Sequence, residues 1–184
     1  MIPGPSRLLH IYDADALSIA LTASARRNPR LPGLSLPTNI YPVPIHGGRH
    51  GLLIALDKLV KDGQSFSRAL FETHGSSGSI YFGGESITGD TFRTFYNARG
   101  YDRLFSYLFC RIYFNGCSVA DNPYGWDLLD AAGAVFLRLG GGAVFAQTEP
   151  GYPNFFNGHV YHFGSFTSYS VWAPGGMFLG HDVK

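Results

Sequence analysis

Four short apolar runs, separated by stretches of helical spacing, constrain this chain more than any other feature. They are residues 7–15 (RLLHIYDAD), 65–73 (SFSRALFET), 110–115 (CRIYFN) and 143–147 (AVFAQ). Runs this short and this continuously apolar suit strands buried on both faces, and such strands alternate with helices where a parallel sheet is covered by its own crossover connections. The expected fold is α/β, with a mostly parallel central sheet flanked by helices.

The intervening stretches support that reading. Residues 48–61 carry Leu52, Leu53, Ala55, Leu56, Leu59 and Val60 on one stripe with Asp57, Lys58 and Lys61 off it, and Gly63 stands where a C-cap belongs, which predicts a helix. Residues 14–27 place Leu17, Ala20, Leu21 and Ala25 at helical spacing before a Pro-rich loop at 28–33 (NPRLPG). Residues 39–45 (NIYPVPI) read as extended, but Pro42 and Pro44 remove two ladder donors and put this strand at an edge. A hairpin is expected from Ser79–Phe82 to Ile87 across Gly83 and Gly84. Residues 90–108 have Phe92, Phe95, Leu104 and Leu108 spaced for a core face with a break at Gly100, so one broken helix or two short ones should form. A further helix is predicted over 125–139. From Thr148 onward the chain is aromatic and Gly-rich, with one late strand expected at 159–163.

Composition excludes several classes of function. A chain of 184 residues can bury one good-sized core, so a single domain spanning 1–184 is expected. With 14 Lys and Arg against 13 Asp and Glu, there is no basic footprint for nucleic acid, and aromatics without a basic groove do not make a single-strand platform. No apolar run approaches the roughly 20 residues of a membrane helix, and the start MIPGP lacks the pattern of a signal peptide, so synthesis in the cytoplasm is expected. Six residues of one strand separate Cys110 from Cys117, too far for a disulfide, so both should be free thiols. His159 and His162 fall on opposite faces of an extended segment and do not form a metal pair. Gly140, Gly141 and Gly142 precede a strand and open no helix, which rules out a phosphate cradle. Neither a metal nor an organic cofactor is expected.

Chemistry concentrates at two strand ends. The run at 65–73 leads into His74-Gly75, and the run at 110–115 leads into Gly116-Cys117. A thiol becomes a nucleophile as the thiolate, which needs a base nearby, and neighbouring parallel strands would bring both groups to the sheet edge where α/β folds bind ligands. Gly75 would let the chain turn so that its N–H faces the same crevice. Cys110, at the opposite end of its strand, is expected to be structural.

The strand-then-His-Gly of ALFETHGSSG, the strand-then-Gly-Cys of RIYFNGCSVA 43 positions later, the helix that follows, and FLRLGGGAVFAQT together resemble the caspase-like fold. The similarity runs from Phe71 to Thr148 and is closest to bacterial CHAT-type members of the clan that contains caspases, legumain, gingipain, clostripain and separase. It implies a three-layer sandwich and a cysteine endopeptidase acting on a protein or peptide substrate, with His74 as base, Cys117 as nucleophile, and the amides of Gly75 and Cys117 as the oxyanion hole. By the same resemblance, Asp13 or Asp15 after the first strand would select a basic side chain before the cut, and Ser118 would line the substrate site. Control by a protein partner or by self-cleavage is also implied. Two other readings stay open: a non-catalytic caspase-like module that binds or scaffolds a partner, and acyl transfer or side-chain deamidation by the same dyad.

Overall fold

The structure, a computed structural model, describes residues 7–27, 39–121, 124–154, 159–162 and 167–183. In chain order it runs β1 (Leu8–Asp13), α1 (Leu17–Arg27), β2 (Ile40–Ile45), α2 (Gly48–Lys61), β3 (Arg68–Glu72), then three short strands β4 (His74–Ser76), β5 (Ser79–Phe82) and β6 (Glu85–Thr88). A one-turn helix α3 (Gly89–Thr91), a π-helical turn (Phe92–Tyr96) and a 3-10 helix (Tyr101–Phe105) lead to β7 (Cys110–Asn115), α4 (Tyr124–Phe136) and β8 (Gly142–Gln147). The chain continues through β9 (Gly151–Asn154), β10 (His159–His162), β11 (Thr167–Ala173) and β12 (Met177–Val183). The Pro-rich loop predicted at 28–33 lies outside the described residues.

Seven strands form one sheet in the order β12-β11-β8-β7-β3-β1-β2. The five from β8 to β2 are mutually parallel, as the apolar runs predict, and β2 with its two prolines takes the edge. β11 pairs antiparallel with β8, and β12 antiparallel with β11, so this hairpin extends the sheet beyond the four predicted strands and their edge. A hairpin signal was present for this pair: TSYSVWA and MFLGHDV flank Pro174-Gly175-Gly176, a turn whose two glycines have φ +91 and +82. The strand at His159 does form, and among the described residues it pairs with β9 in a separate two-stranded sheet.

Period-2 alternation sends Leu9 and Ile11 of β1, Ala69 and Phe71 of β3, Ile112 and Phe114 of β7, and Val144 and Ala146 of β8 into one continuous core. Leu52, Leu56 and Leu59 of α2 and Leu128, Leu129 and Phe136 of α4 close over it. Phe71 sits 5.1 Å from Phe114 and 5.8 Å from Phe136, all three fully buried, and each such ring contributes about 1.5–3 kcal/mol by leaving water. On the opposite face Tyr12 packs with Ile19 and Ala23 of α1. Farther along that face Tyr113, Phe145 and Tyr169 occupy paired positions on β7, β8 and β11 and stack at 4.9 and 5.4 Å.

Two predicted faces are corrected. In α1, Leu17 and Leu21 are 74% and 47% exposed, and Ile19 and Ala23 face the sheet instead. An alanine-rich helix of this length offers more than one apolar stripe, and the position of Tyr12 decides between them. In 90–108, Phe95 and Leu108 are exposed, whereas Tyr96, Tyr101 and Phe105 join Phe92 and Leu104 inside. The π turn bonds i to i+5 and turns less per residue, so Phe95 swings off the face of Phe92 while Tyr96 stays beneath it, ring to ring at 5.2 Å. The helix predicted to Leu139 ends at Phe136. α2 spans the predicted residues and closes on Gly63 at φ +64, whose N–H donates to the Val60 carbonyl.

Candidate active site

β3 and β7 are adjacent and parallel, with Glu72 directly opposite Asn115. His74 and Cys117 each lie two residues beyond that pair, so the sheet delivers both to its C-terminal edge. There the two chains touch backbone to backbone. A Cβ on Gly75 would come within 3.0 Å of the Cys117 carbonyl oxygen and 3.2 Å of its nitrogen, and a Cβ on Gly116 would lie 3.1 Å from both Cα and N of Gly75. Neither glycine has a positive φ, so what these positions require is the absence of a side chain, not backbone freedom. His74 also opens β4: the Ser77-Gly78 turn folds His74–Ser76 back on Ser79–Tyr81.

The Cys117 thiol donates to the Gly151 carbonyl at 3.2 Å, and the Gly151 N–H approaches the sulfur at 3.4 Å. The loop carrying it is tied on both sides. Ser118 and Ala120 N–H groups donate to the carbonyls of Glu149 and Gln147, while the Gly78 N–H and the Ser77 hydroxyl donate to Val119 and Asp121 carbonyls. Ser118 sits at φ +51, a left-handed conformation costing on the order of 1 kcal/mol for a residue with a Cβ, directly after the candidate nucleophile. His74 is exposed, and its Nε2 lies 3.4 Å from the Ser18 hydroxyl of α1. Among the described residues no hydrogen bond joins His74 to Cys117.

Beside His74 opens a cavity of about 540 Å³, lined by Asp13, Asp15, Gly75, Tyr81 and the Gly83-Gly84 turn. Both predicted acidic residues therefore reach the histidine's cleft, yet both are already engaged. Buried Asp13 accepts from the Asp15 and Gly83 N–H groups, bracing β1 against the hairpin. Asp15 accepts from His46 Nδ1 at 2.7 Å and from the Gly47 N–H at 2.8 Å, and these two bonds, the histidine's first, hold its carboxyl below the usual range. Hydroxyls of Ser76 and Ser79, at 2.9 and 3.4 Å, likewise lower the Tyr81 phenol. Cys117 and Ser118 are not part of this cavity's lining.

Below the edge, His10 Nε2 and Glu72 Oε2 meet at 2.6 Å, both fully buried. His10 Nδ1 and the Thr73 hydroxyl have no partner among the described residues. Cys110 is fully buried at the far end of β7, its thiol facing the carbonyls of Phe66, Phe105 and Tyr107, and burial pushes it up to about 11. Among the described residues no three His, Cys, Asp or Glu side chains gather as a metal site, and no helix is long and apolar enough to cross a membrane.

Three participants escaped the sequence reading. Tyr81 was within reach of it, because a two-residue turn at Ser77-Gly78 sets it opposite His74. Ser18 and Gly151 left no local signal, since each is brought in by packing across the sheet edge. No protein-family model matches the chain, and no curated protein is significantly similar to it in sequence.

Proposed function

We propose that this protein is a cysteine endopeptidase with a caspase-like three-layer sandwich, working through His74 and Cys117 on a protein or peptide substrate. One observation carries the reading: His74-Gly75 and Gly116-Cys117 end neighbouring parallel strands and touch through glycines that leave no room for a side chain. In the reaction the Cys117 thiol leaves the Gly151 carbonyl and passes its proton to His74, and the thiolate attacks the scissile carbonyl. The amides of Gly75 and Cys117 hold the oxyanion as it forms. His74 then protonates the departing amine, the acyl-enzyme forms, and water activated by the same ring releases the acid. The cleft beside His74, with two carboxylates and no Lys or Arg among the described residues of its lining, suits a basic side chain before the cut. Ser118, held in its left-handed turn, would border the acyl group.

A second reading has its own support: the thiol is paired with Gly151 and the imidazole with Ser18, which suits a module that binds a partner without cleaving it. Thiol reactivity separates the two. Under the peptidase reading His74→Ala slows iodoacetamide alkylation of Cys117, and Cys117→Ala abolishes cleavage of a basic-residue peptide library. Alkylation indifferent to His74→Ala, or cleavage that survives Cys117→Ala, would overturn it.

A further inference from the structure

We propose that Ser18 is the positioning residue for His74, so that the site is a set of three side chains and not a dyad. The inference rests on the peptidase reading above. The His74 ring is exposed, and its contact with the Ser18 hydroxyl, 3.4 Å from Nε2, spans 56 positions of sequence. An exposed imidazole free to rotate about χ1 and χ2 spends little time in one orientation, and general-base catalysis needs the ring held.

Ser18 is well placed to hold it. It lies in the first turn of α1, half-buried, next to Ile19, whose burial against Tyr12 fixes the helix on the sheet. A hydroxyl oxygen accepts the Nε2–H of the neutral ring, and that selects the tautomer whose lone pair is on Nδ1, the nitrogen free to take a proton from Cys117. Once the proton has moved, the ring is a cation that donates from both nitrogens, and the same oxygen now accepts a charge-assisted bond, which is stronger. Ser18 thus serves the base before transfer and stabilises the imidazolium after it. The other titratable groups facing the ring, Asp13 at the end of β1, Asp15 just after it and Tyr81 opposite on β5, supply field but are held by His46, Gly47, Gly83 and the β4–β5 serines, and among the described residues none hydrogen-bonds to His74.

The test compares wild type, Ser18→Ala, Ser18→Thr and His74→Ala in the full chain. Site-resolved alkylation of Cys117 by iodoacetamide is followed from pH 5 to 9, and the His74 tautomer is read from its ring nitrogen shifts by NMR. Alanine is a better helix former than serine, so α1 is expected to survive the first substitution. Ser18→Ala should slow alkylation at pH 6.5 about fivefold, the factor of a typical net hydrogen bond, and Ser18→Thr should return it to within about twofold. The ring should be protonated at Nε2 in wild type and in Ser18→Thr, and mixed in Ser18→Ala. An unchanged pH profile and tautomer in Ser18→Ala overturn the proposal, as does a loss that threonine does not restore. If His74→Ala leaves the Cys117 profile unchanged, the peptidase reading fails instead. The tautomer, measured without reference to sulfur, still decides whether Ser18 holds the ring.

Discussion

Gly75→Ala is the most direct challenge to the geometry of the sheet edge. The new Cβ would lie 2.4 Å from Val119 Cγ2, 3.0 Å from the Cys117 oxygen and 3.2 Å from its nitrogen. Val119 is fully buried and cannot swing away, and the other two atoms are backbone. Relieving the clash requires β4 and the Cys117 loop to part by about 1 Å, against the hydrogen bonds that tie that loop to residues 77–78 and 147–149. Because Gly75 has no positive φ, alanine incurs no backbone penalty there and restricts the unfolded chain, which favours folding by about 0.4–1 kcal/mol. Overpacking costs about 1–3 kcal/mol, leaving a net loss near 1.3 kcal/mol and a Tm fall of about 3–5 °C.

A cycle with Val119→Ala isolates the side-chain part of that cost. Val119→Ala alone should destabilise by leaving a cavity, yet the double variant should be more stable than the sum of the singles predicts by about 1 kcal/mol, since the nearest clashing atom is gone. Urea unfolding gives the stabilities, and under the proposed mechanism Cys117 alkylation should slow along with them if a displacement of about 1 Å separates His74 from Cys117. A Gly75→Ala variant as stable as wild type, or strict additivity in the cycle, would refute the close approach of the two strand ends.

Two further outcomes are expected. The Cys110 thiol is raised to about 11 by burial from an ordinary value of 9.0, so the unfolded chain deprotonates first as pH rises, and its contribution is present below pH 9 and lost by pH 11. The full loss is of order 2–3 kcal/mol, about 1 kcal/mol of it between pH 9 and 10, and chemical denaturation over that interval should show this fall in wild type and not in Cys110→Ala, while the raised phenols of Tyr96 and Tyr101 act only above pH 10. In Gly133→Ala the new methyl would lie 2.0 Å from Trp172 Nε1, which is anchored through Ser170 to the Leu129 carbonyl. This should cost about 3 kcal/mol and displace Trp172 fluorescence, and a wild-type urea midpoint would contradict the packing of α4 on β11.

Much of the molecule is written locally. Apolar runs such as RALFE and CRIYFN need no distant information to become buried strands, the stripe of α2 and its Gly63 cap set both ends of that helix, and Pro42 and Pro44 forbid β2 a central place. The order His-Gly then Gly-Cys follows from the same runs, because the residues after a strand must stand at its tip.

Contacts between segments far apart in sequence are another matter. Which stripe of α1 is buried depended on Tyr12 across the sheet, and whether Asp13 and Asp15 stay free or brace the chain depended on Gly83 and His46 arriving beside them. The partners of the two candidate catalytic groups, Gly151 for the Cys117 thiol and Ser18 for the His74 imidazole, come from β9 and α1, 34 and 56 positions away. Periodicity reports which face of an element is apolar. It carries no information on which polar atom a second element will hold against it, and only tertiary packing, which brings those atoms within hydrogen-bond distance, decides how the site is poised.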